Sequence, residues 1–310
     1  MKYSPLFWPV KLKGNIIYVL DETLLPSKVK YLKIKSYQES CQVIKEMKTR
    51  AVGQVLLVLY TFILVIKNNK GKVYLPLLEK VASALNSTRP TLSFRFLTDM
   101  VINWAKSKLD ISKCISAFLE NLKNSRLKQA KEVSTLIKDG DTVLTHCNIS
   151  GLMPLIGEFC RQENKKINFF VTETRPYLQG LRLTAWELYR AGFKTTVITD
   201  NMVAKIMQEN KISKVIVGAD NLAQNGDIAN KIGTYQIAIL AKHFGIPFYV
   251  ICPPVSSAKT GKDIRIEIRP DKELLEIKGV SIGPKGVCGY YPAFDITPNK
   301  LITKHIYLEV

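Results

Sequence analysis

Histidine is rare in this chain and cysteine is never clustered. The three histidines (His146, His243 and His305) lie far apart, and none has a partner at the short spacing of a metal site, so no metal is expected. The six cysteines, at 41, 114, 147, 160, 252 and 288, include no Cys-x-x-Cys and none of the crowding of a disulfide scaffold. A reducing cytoplasm fits that usage. Residues 1–15 hold two prolines and no apolar core of signal-peptide length, which argues against a secretion signal. The longest apolar run, residues 55–66, falls short of the roughly 20 residues that span a bilayer and reads as a core helix, so no membrane role is expected. Acidic residues are also few: 26 Asp and Glu against 45 Lys and Arg leave a net charge of +19. That balance suits nucleic acid, anionic lipid or phosphorylated small molecules. The basic residues are mostly lysines, scattered rather than gathered with interleaved aromatics, which argues against a dedicated nucleic-acid face.

What the chain does have is enough length and apolar content, 310 residues at 46% hydrophobic, for two folded domains. The first part reads as mainly helical. Residues 15–20 suggest a strand, a helix begins near Ser36 with Val43, Ile44 and Met47 on one face, and further helices follow over 55–66, 75–85 and beyond Arg89. Residues 111–137 form a lysine-rich amphipathic stretch. From Asp139 the pattern becomes short apolar runs, at 142–145, 167–171, 195–198, 215–217 and 248–251, alternating with helices. This alternation predicts a parallel sheet covered by helices. Segments near 264–268 and after Gly279 suggest late strands, and the tail from Asn299 closes the chain. The expected organisation is α/β: a mainly helical N-terminal domain over 1–110, a connecting helix over 111–138, and a Rossmann-like domain over 139–310.

Residues 215–234, VIVGADNLAQNGDIANKIGT, are the most informative stretch. An apolar strand runs into Gly218-Ala219-Asp220, a polar turn follows, and Asn230-Lys231 is expected to open a helix carrying Ile232, Tyr235, Ala238 and Ile239 on its apolar face. Ligands of open parallel sheets sit beyond the carboxyl ends of the strands, which puts Asp220 and Lys231 on the reactive edge. An Asp in that position also serves simply to turn the chain. Thr145-His146-Cys147-Asn148 follows the first strand and brings Cys147 to the same edge. Most cysteines are small buried hydrophobes, but a thiol among polar and cationic groups is more acidic and more reactive. Arg89 lies just ahead of a helix, where backbone amides favour anions.

The Gly-Ala-Asp, Asn-Gly-Asp and Asn-Lys-Ile-Gly-Thr elements resemble those of the family that includes methylthioribose-1-phosphate isomerases, ribose-1,5-bisphosphate isomerases and regulatory subunits of the translation-initiation nucleotide-exchange factor. The Thr-His-Cys-Asn motif, the run from Glu173 to Gly180 with Arg175 and Gln179, and Tyr291-Pro292-Ala293-Phe294-Asp295 extend the resemblance over nearly the whole chain. Two departures stand out. Ala51-Val52-Gly53 occupies the place of the family's Gly-Ala-Pro, and Tyr291 replaces an Asn. A glycine at 51 would adopt positive φ freely, whereas alanine does not.

The resemblance implies an aldose–ketose isomerase acting on a furanose phosphorylated at its anomeric oxygen, most often 5-methylthioribose 1-phosphate. In that reading Asp220 is the acid and Cys147 assists hydrogen transfer, as a base or by stabilising a hydride-like step. Arg50, Ala51, Val52, Arg89, Gln179, Asn230 and Lys231 bind the substrate. Arg175 is either a phosphate partner or half of an ion pair with Glu173. No organic cofactor or metal is implied, and by analogy the chain pairs as a homodimer. Two alternatives are an isomerase of 5-deoxyribose 1-phosphate or ribose 1,5-bisphosphate, and a non-catalytic subunit of the exchange-factor type.

Overall fold

In a computed structural model of the chain, residues 3–89, 94–277 and 279–309 are described. They fall into two compact units, with the division after Asn124. In the first, β1 (Val10–Lys13), β2 (Ile16–Leu20) and β3 (Tyr31–Ile34) form an antiparallel sheet in that order. Helices α1 (Tyr37–Lys45), α2 (Val52–Asn68), α3 (Leu75–Asn86) and α4 (Arg95–Lys106) follow, and α5 covers Ile111–Thr135. Ser36 starts α1 as expected, its hydroxyl accepting from the Glu39 amide. The helix stops at Lys45, two residues short of Met47, which takes φ 53° and turns the chain toward Arg50. The apolar run at 55–66 lies inside α2, where ten of the residues from Leu56 to Ile66 are buried. Among the described residues no helix is long and apolar enough to cross a membrane.

The second unit is built on β4 (Thr142–Thr145), α6 (Leu152–Gln162), β5 (Asn168–Thr172), α7 (Ala185–Arg190), β6 (Thr195–Ile198), α8 (Val203–Gln208) and β7 (Lys214–Gly218). It continues with β8 (Asn221–Leu222), β9 (Ile228–Lys231), α9 (Thr234–His243) and β10 (Phe248–Ile251). The remaining strands are β11 (Ile268–Arg269), β12 (Glu276–Ile277), β13 (Val280–Ser281), β14 (Tyr291–Pro292), β15 (Phe294–Thr297) and β16 (Lys304–Ile306). Six strands form one sheet in the order β16-β10-β7-β4-β5-β6, and every pair is parallel. This is a Rossmann-like α/β arrangement. Parallel sheets are covered on both faces, so their central strands read as apolar runs; all five residues of β7 are buried.

The strand order fixes where chemistry can occur. From β4 the chain builds outward through β5 and β6, then returns to the opposite side of β4 as β7. The point where the order reverses leaves a crevice at the carboxyl ends of β4 and β7. Two expectations fail in this unit. Asn230 and Lys231 do not open a helix: they end strand β9, paired antiparallel with β15, and α9 begins only after Gly233 at φ 102°. The chain's tail does more than close the molecule, since β16 supplies an edge strand beside β10.

Candidate active site

Cys147 and Asp220 follow neighbouring strands and therefore share the crevice edge. Cys147 is buried and takes φ 63°, the left-handed region that favours glycine. Several bonds hold it there. Its N–H donates to the Thr174 hydroxyl at 2.9 Å, and its carbonyl accepts from the Thr184 hydroxyl at 2.6 Å. Asn148 donates to Thr184 and to the buried carboxylate of Glu187. Arg126, also buried, donates to the Ser150 carbonyl at 2.6 Å. Burial lowers the Arg126 pKa to about 10, with Glu187 opposing the shift. The loop is thus set by an internal polar network, and α6 starts five residues beyond the thiol, at Leu152.

His146, the preceding residue, is fully enclosed. Its Nδ1 lies 2.6 Å from the Thr172 hydroxyl and its Nε2 lies 2.9 Å from the Ile232 carbonyl. A carbonyl only accepts, so Nε2 carries the proton and Nδ1 accepts from Thr172. Burial lowers its pKa, against an upward pull from Asp200, which keeps the ring neutral. His146 is therefore a structural pin joining β5 to the turn before α9. Its position inside the Thr-His-Cys-Asn motif gave no signal that separated this role from a catalytic one.

Asp220 is exposed, and its N–H donates to the Ala229 carbonyl at 2.8 Å, which brings the start of β8 against β9. Two residues before it, a Cβ on Gly218 would meet the Ile149 Cγ2 at 3.3 Å, so a side chain there would press on Ile149. On β9, Asn230 donates to the Thr234 hydroxyl. Lys231 is buried and donates to the Tyr291 hydroxyl at 3.2 Å, with its Nζ 5.0 Å from the Phe294 ring centroid. Gln179 is buried, and its Oε1 has no hydrogen-bond partner among the described residues. An orphaned acceptor of this kind in a crevice is suited to a ligand's hydroxyl. The turn that carries it closes tightly, since a Cβ on Gly180 would stand 1.8 Å from the Thr172 carbonyl oxygen.

Arg175 does not form the expected ion pair with Glu173. Its guanidinium donates to the carbonyls of Pro176 and Leu274, at 3.2 and 2.7 Å, rather than to Glu173. Asp200 receives the amides of Thr174 and Arg175. Asp295, which the sequence marks only as part of a motif, accepts from the amides of Gly233 and Tyr235 at the start of α9. Burial raises its pKa to about 6, with those amides opposing.

The N-terminal unit carries its own cluster. Glu22 is buried and accepts from the Thr49 hydroxyl, the Arg50 amide and the Arg50 Nε, at 2.8, 3.1 and 3.1 Å. Burial raises its pKa despite the adjacent guanidinium. Ala51 adopts φ 44° and ψ −120° although it is not glycine, and its backbone starts α2 with no side-chain cap. Val52 is buried in the first turn. Arg89 is buried, and its Nη1 lies 3.0 Å from the Met47 sulfur and 3.5 Å from Gln54 Oε1. Arg50 and Arg89 thus attend the uncapped amino end of one long helix, a place that attracts anions. Pro90 and Thr91, which complete the Arg-Pro-Thr element, lie outside the described residues. Glu22 and Gln54 were missed from the sequence because their partners are distant or specific to this packing.

Residues 47–307 match the sequence model of the Initiation factor 2 subunit family. The chain is 40% identical over 317 residues to methylthioribose-1-phosphate isomerase 1 of Pseudothermotoga lettingae, covering 94% of this chain and 90% of that one. Among solved structures it is similar to 5-methylthioribose 1-phosphate isomerase from Pyrococcus horikoshii OT3, with a TM-score of 0.84 and 30% identity over 98% of this chain and 93% of the other. It is also similar to a chain described as translation initiation factor eIF-2B, subunit delta, from A. fulgidus, with a TM-score of 0.83 and 31% identity over 97% and 94%. With matches of this extent in both sequence and fold, the chain belongs to the Initiation factor 2 subunit family.

Proposed function

We propose that the protein is an aldose–ketose isomerase, an intramolecular oxidoreductase that converts 5-methylthioribose 1-phosphate to 5-methylthioribulose 1-phosphate in methionine salvage. The observation that carries this reading is the pairing of Cys147 with Asp220 on adjacent strand ends where the sheet order reverses, in a chain 40% identical to a protein of that name. The anomeric phosphate blocks ordinary ring opening. Asp220 therefore protonates the ring oxygen as its bond to C1 breaks, and the hydrogen on C2 moves to C1. The C2 hydroxyl gives up its proton to the Asp220 carboxylate, C2 becomes the ketone, and the phosphate stays on C1. No outside oxidant or reductant is consumed.

Asp220 is exposed, so the bound sugar itself supplies the desolvation that favours the protonated acid. Cys147 assists the hydrogen shift, as a base on the enolate route or by stabilising a hydride-like one. Gln179, Asn230 and Lys231 hold hydroxyl and phosphate oxygens, since fixed charge gives affinity and orientation together. Arg50, Ala51, Val52 and Arg89, at the amino end of α2, are likewise read as substrate-binding. The protein works in the cytoplasm as a homodimer, which analytical ultracentrifugation tests directly.

The deciding experiment is turnover of 5-methylthioribose 1-phosphate by the wild type, Cys147→Ala and Asp220→Asn. Conversion by wild type, with both variants folded and reduced at least about 100-fold, supports the isomerase. A second reading, a non-catalytic subunit, draws on the A. fulgidus chain and on alanine in place of glycine at 51. It takes over if wild type is inert toward this sugar and toward its 5-deoxy and 5-phospho analogues.

A further inference from the structure

Tyr291 is not among the residues assigned above, yet its hydroxyl stands at the centre of the C-terminal cluster. It is 4% exposed, on a short strand paired with β11 so that Arg269 lies opposite it. The next backbone bond, Ala293 N–H to the Glu267 carbonyl at 2.8 Å, fixes the strand further. Arg269 is itself clamped by Glu267 and Glu273, so the platform under the tyrosine is rigid. The Lys231 ammonium donates to the phenol oxygen at 3.2 Å. Among the described residues the hydroxyl makes no second hydrogen bond. Lys231, from which it accepts, is itself one of the residues read as substrate-binding.

The chemistry follows from the donor count. An ammonium has protons and no lone pair, so toward Lys231 the phenol oxygen can only accept. Its own proton is left to point elsewhere. Burial, reinforced by Glu273 and opposed by Arg269, holds the phenol well above its ordinary pKa, so that proton is present throughout the working range. A buried neutral donor without an acceptor, adjacent to a buried cation, is arranged for an oxygen that arrives with a ligand.

We infer that Tyr291 is a substrate-positioning and specificity-determining residue: its hydroxyl, oriented by Lys231, donates to an oxygen of the phosphorylated sugar that Lys231 holds. This rests on the isomerase reading for the identity of the sugar. An asparagine, the residue of the resembled motif, has a shorter reach and an acceptor oxygen of its own, so it would present a different pattern to the ligand.

Tyr291→Phe tests the inference with the ring and the strand preserved. The expected result is a fall in kcat/KM of about tenfold or more, carried mainly by KM, with an unchanged thermal midpoint. In the Cys147→Ala background, where turnover is expected to be at least about 100-fold slower, titration calorimetry with 5-methylthioribose 1-phosphate should show the same weakening in Kd. Unchanged kcat/KM and unchanged Kd overturn the inference, as does a loss confined to the thermal midpoint. If wild type binds the sugar phosphate without converting it, the isomerase reading fails while the Kd comparison still decides the role of Tyr291. If wild type does not bind it, both fall.

Discussion

The turn at Ala51 and the loop at Cys147 use the same backbone device by different means. Both place a non-glycine residue at positive φ beside residues proposed to meet the substrate. At Cys147 the conformation is held by several partners: Thr174, Thr184, Asn148 and the Arg126–Ser150 bond. At Ala51 the preceding residue is held by one buried carboxylate, Glu22, which takes three bonds at once. Strained geometry persists only where its surroundings over-determine it. One loop distributes that task, and the other leans mainly on one carboxylate, with Gln54 Nε2 adding a bond to the Thr49 carbonyl.

The sharpest way to break the comparison is Glu22→Ala. Removing the concentrated support leaves Arg50 without its carboxylate and Thr49 without its acceptor, and the expected cost is about 3 kcal/mol or more in urea unfolding. Thr184→Val removes two bonds from the distributed network, and a smaller loss of about 1–2 kcal/mol is expected. If Thr184→Val proves as damaging as Glu22→Ala, the distinction between the loops is wrong. Ala51→Gly works in the opposite direction. Relief of the strained φ outweighs the added freedom of the unfolded chain, for a gain of about 1 kcal/mol, and turnover should be retained.

The smallest effect is a pH dependence. Asp295 has a raised pKa, about 6 against an ordinary 3.8, so its contribution to stability is full below about 3.8 and is lost as pH climbs through about 6. Midpoints for wild type, relative to Asp295→Asn, should fall across that window. A flat or rising difference contradicts the assignment.

Much of this architecture was legible because buried parallel strands leave continuous apolar runs, as at Val215–Ile216–Val217, and because Ser36 marks a helix start by local chemistry. Cys147 and Asp220 were legible as strand-end residues for the same reason. What escaped depends on distant pairing. Asn230 and Lys231 look like the opening of a helix until β15, some 60 residues later in the chain, claims them as a strand. The roles of Glu22, His146 and Tyr291 likewise depend on partners that no local pattern announces. The exposure of Asp220 was not legible either, because a strand-end position fixes direction and leaves burial to the loops around it.

His146 bonds to partners 26 and 86 residues away. Closing the larger of those loops is an entropic cost that must be met before the contact returns any stabilisation. The crevice around Cys147 is therefore expected to form late in folding. In hydrogen-exchange pulse labelling, the Cys147 amide should gain protection after the amides of β4 itself, and a peptide confined to residues 139–175 should leave it unprotected.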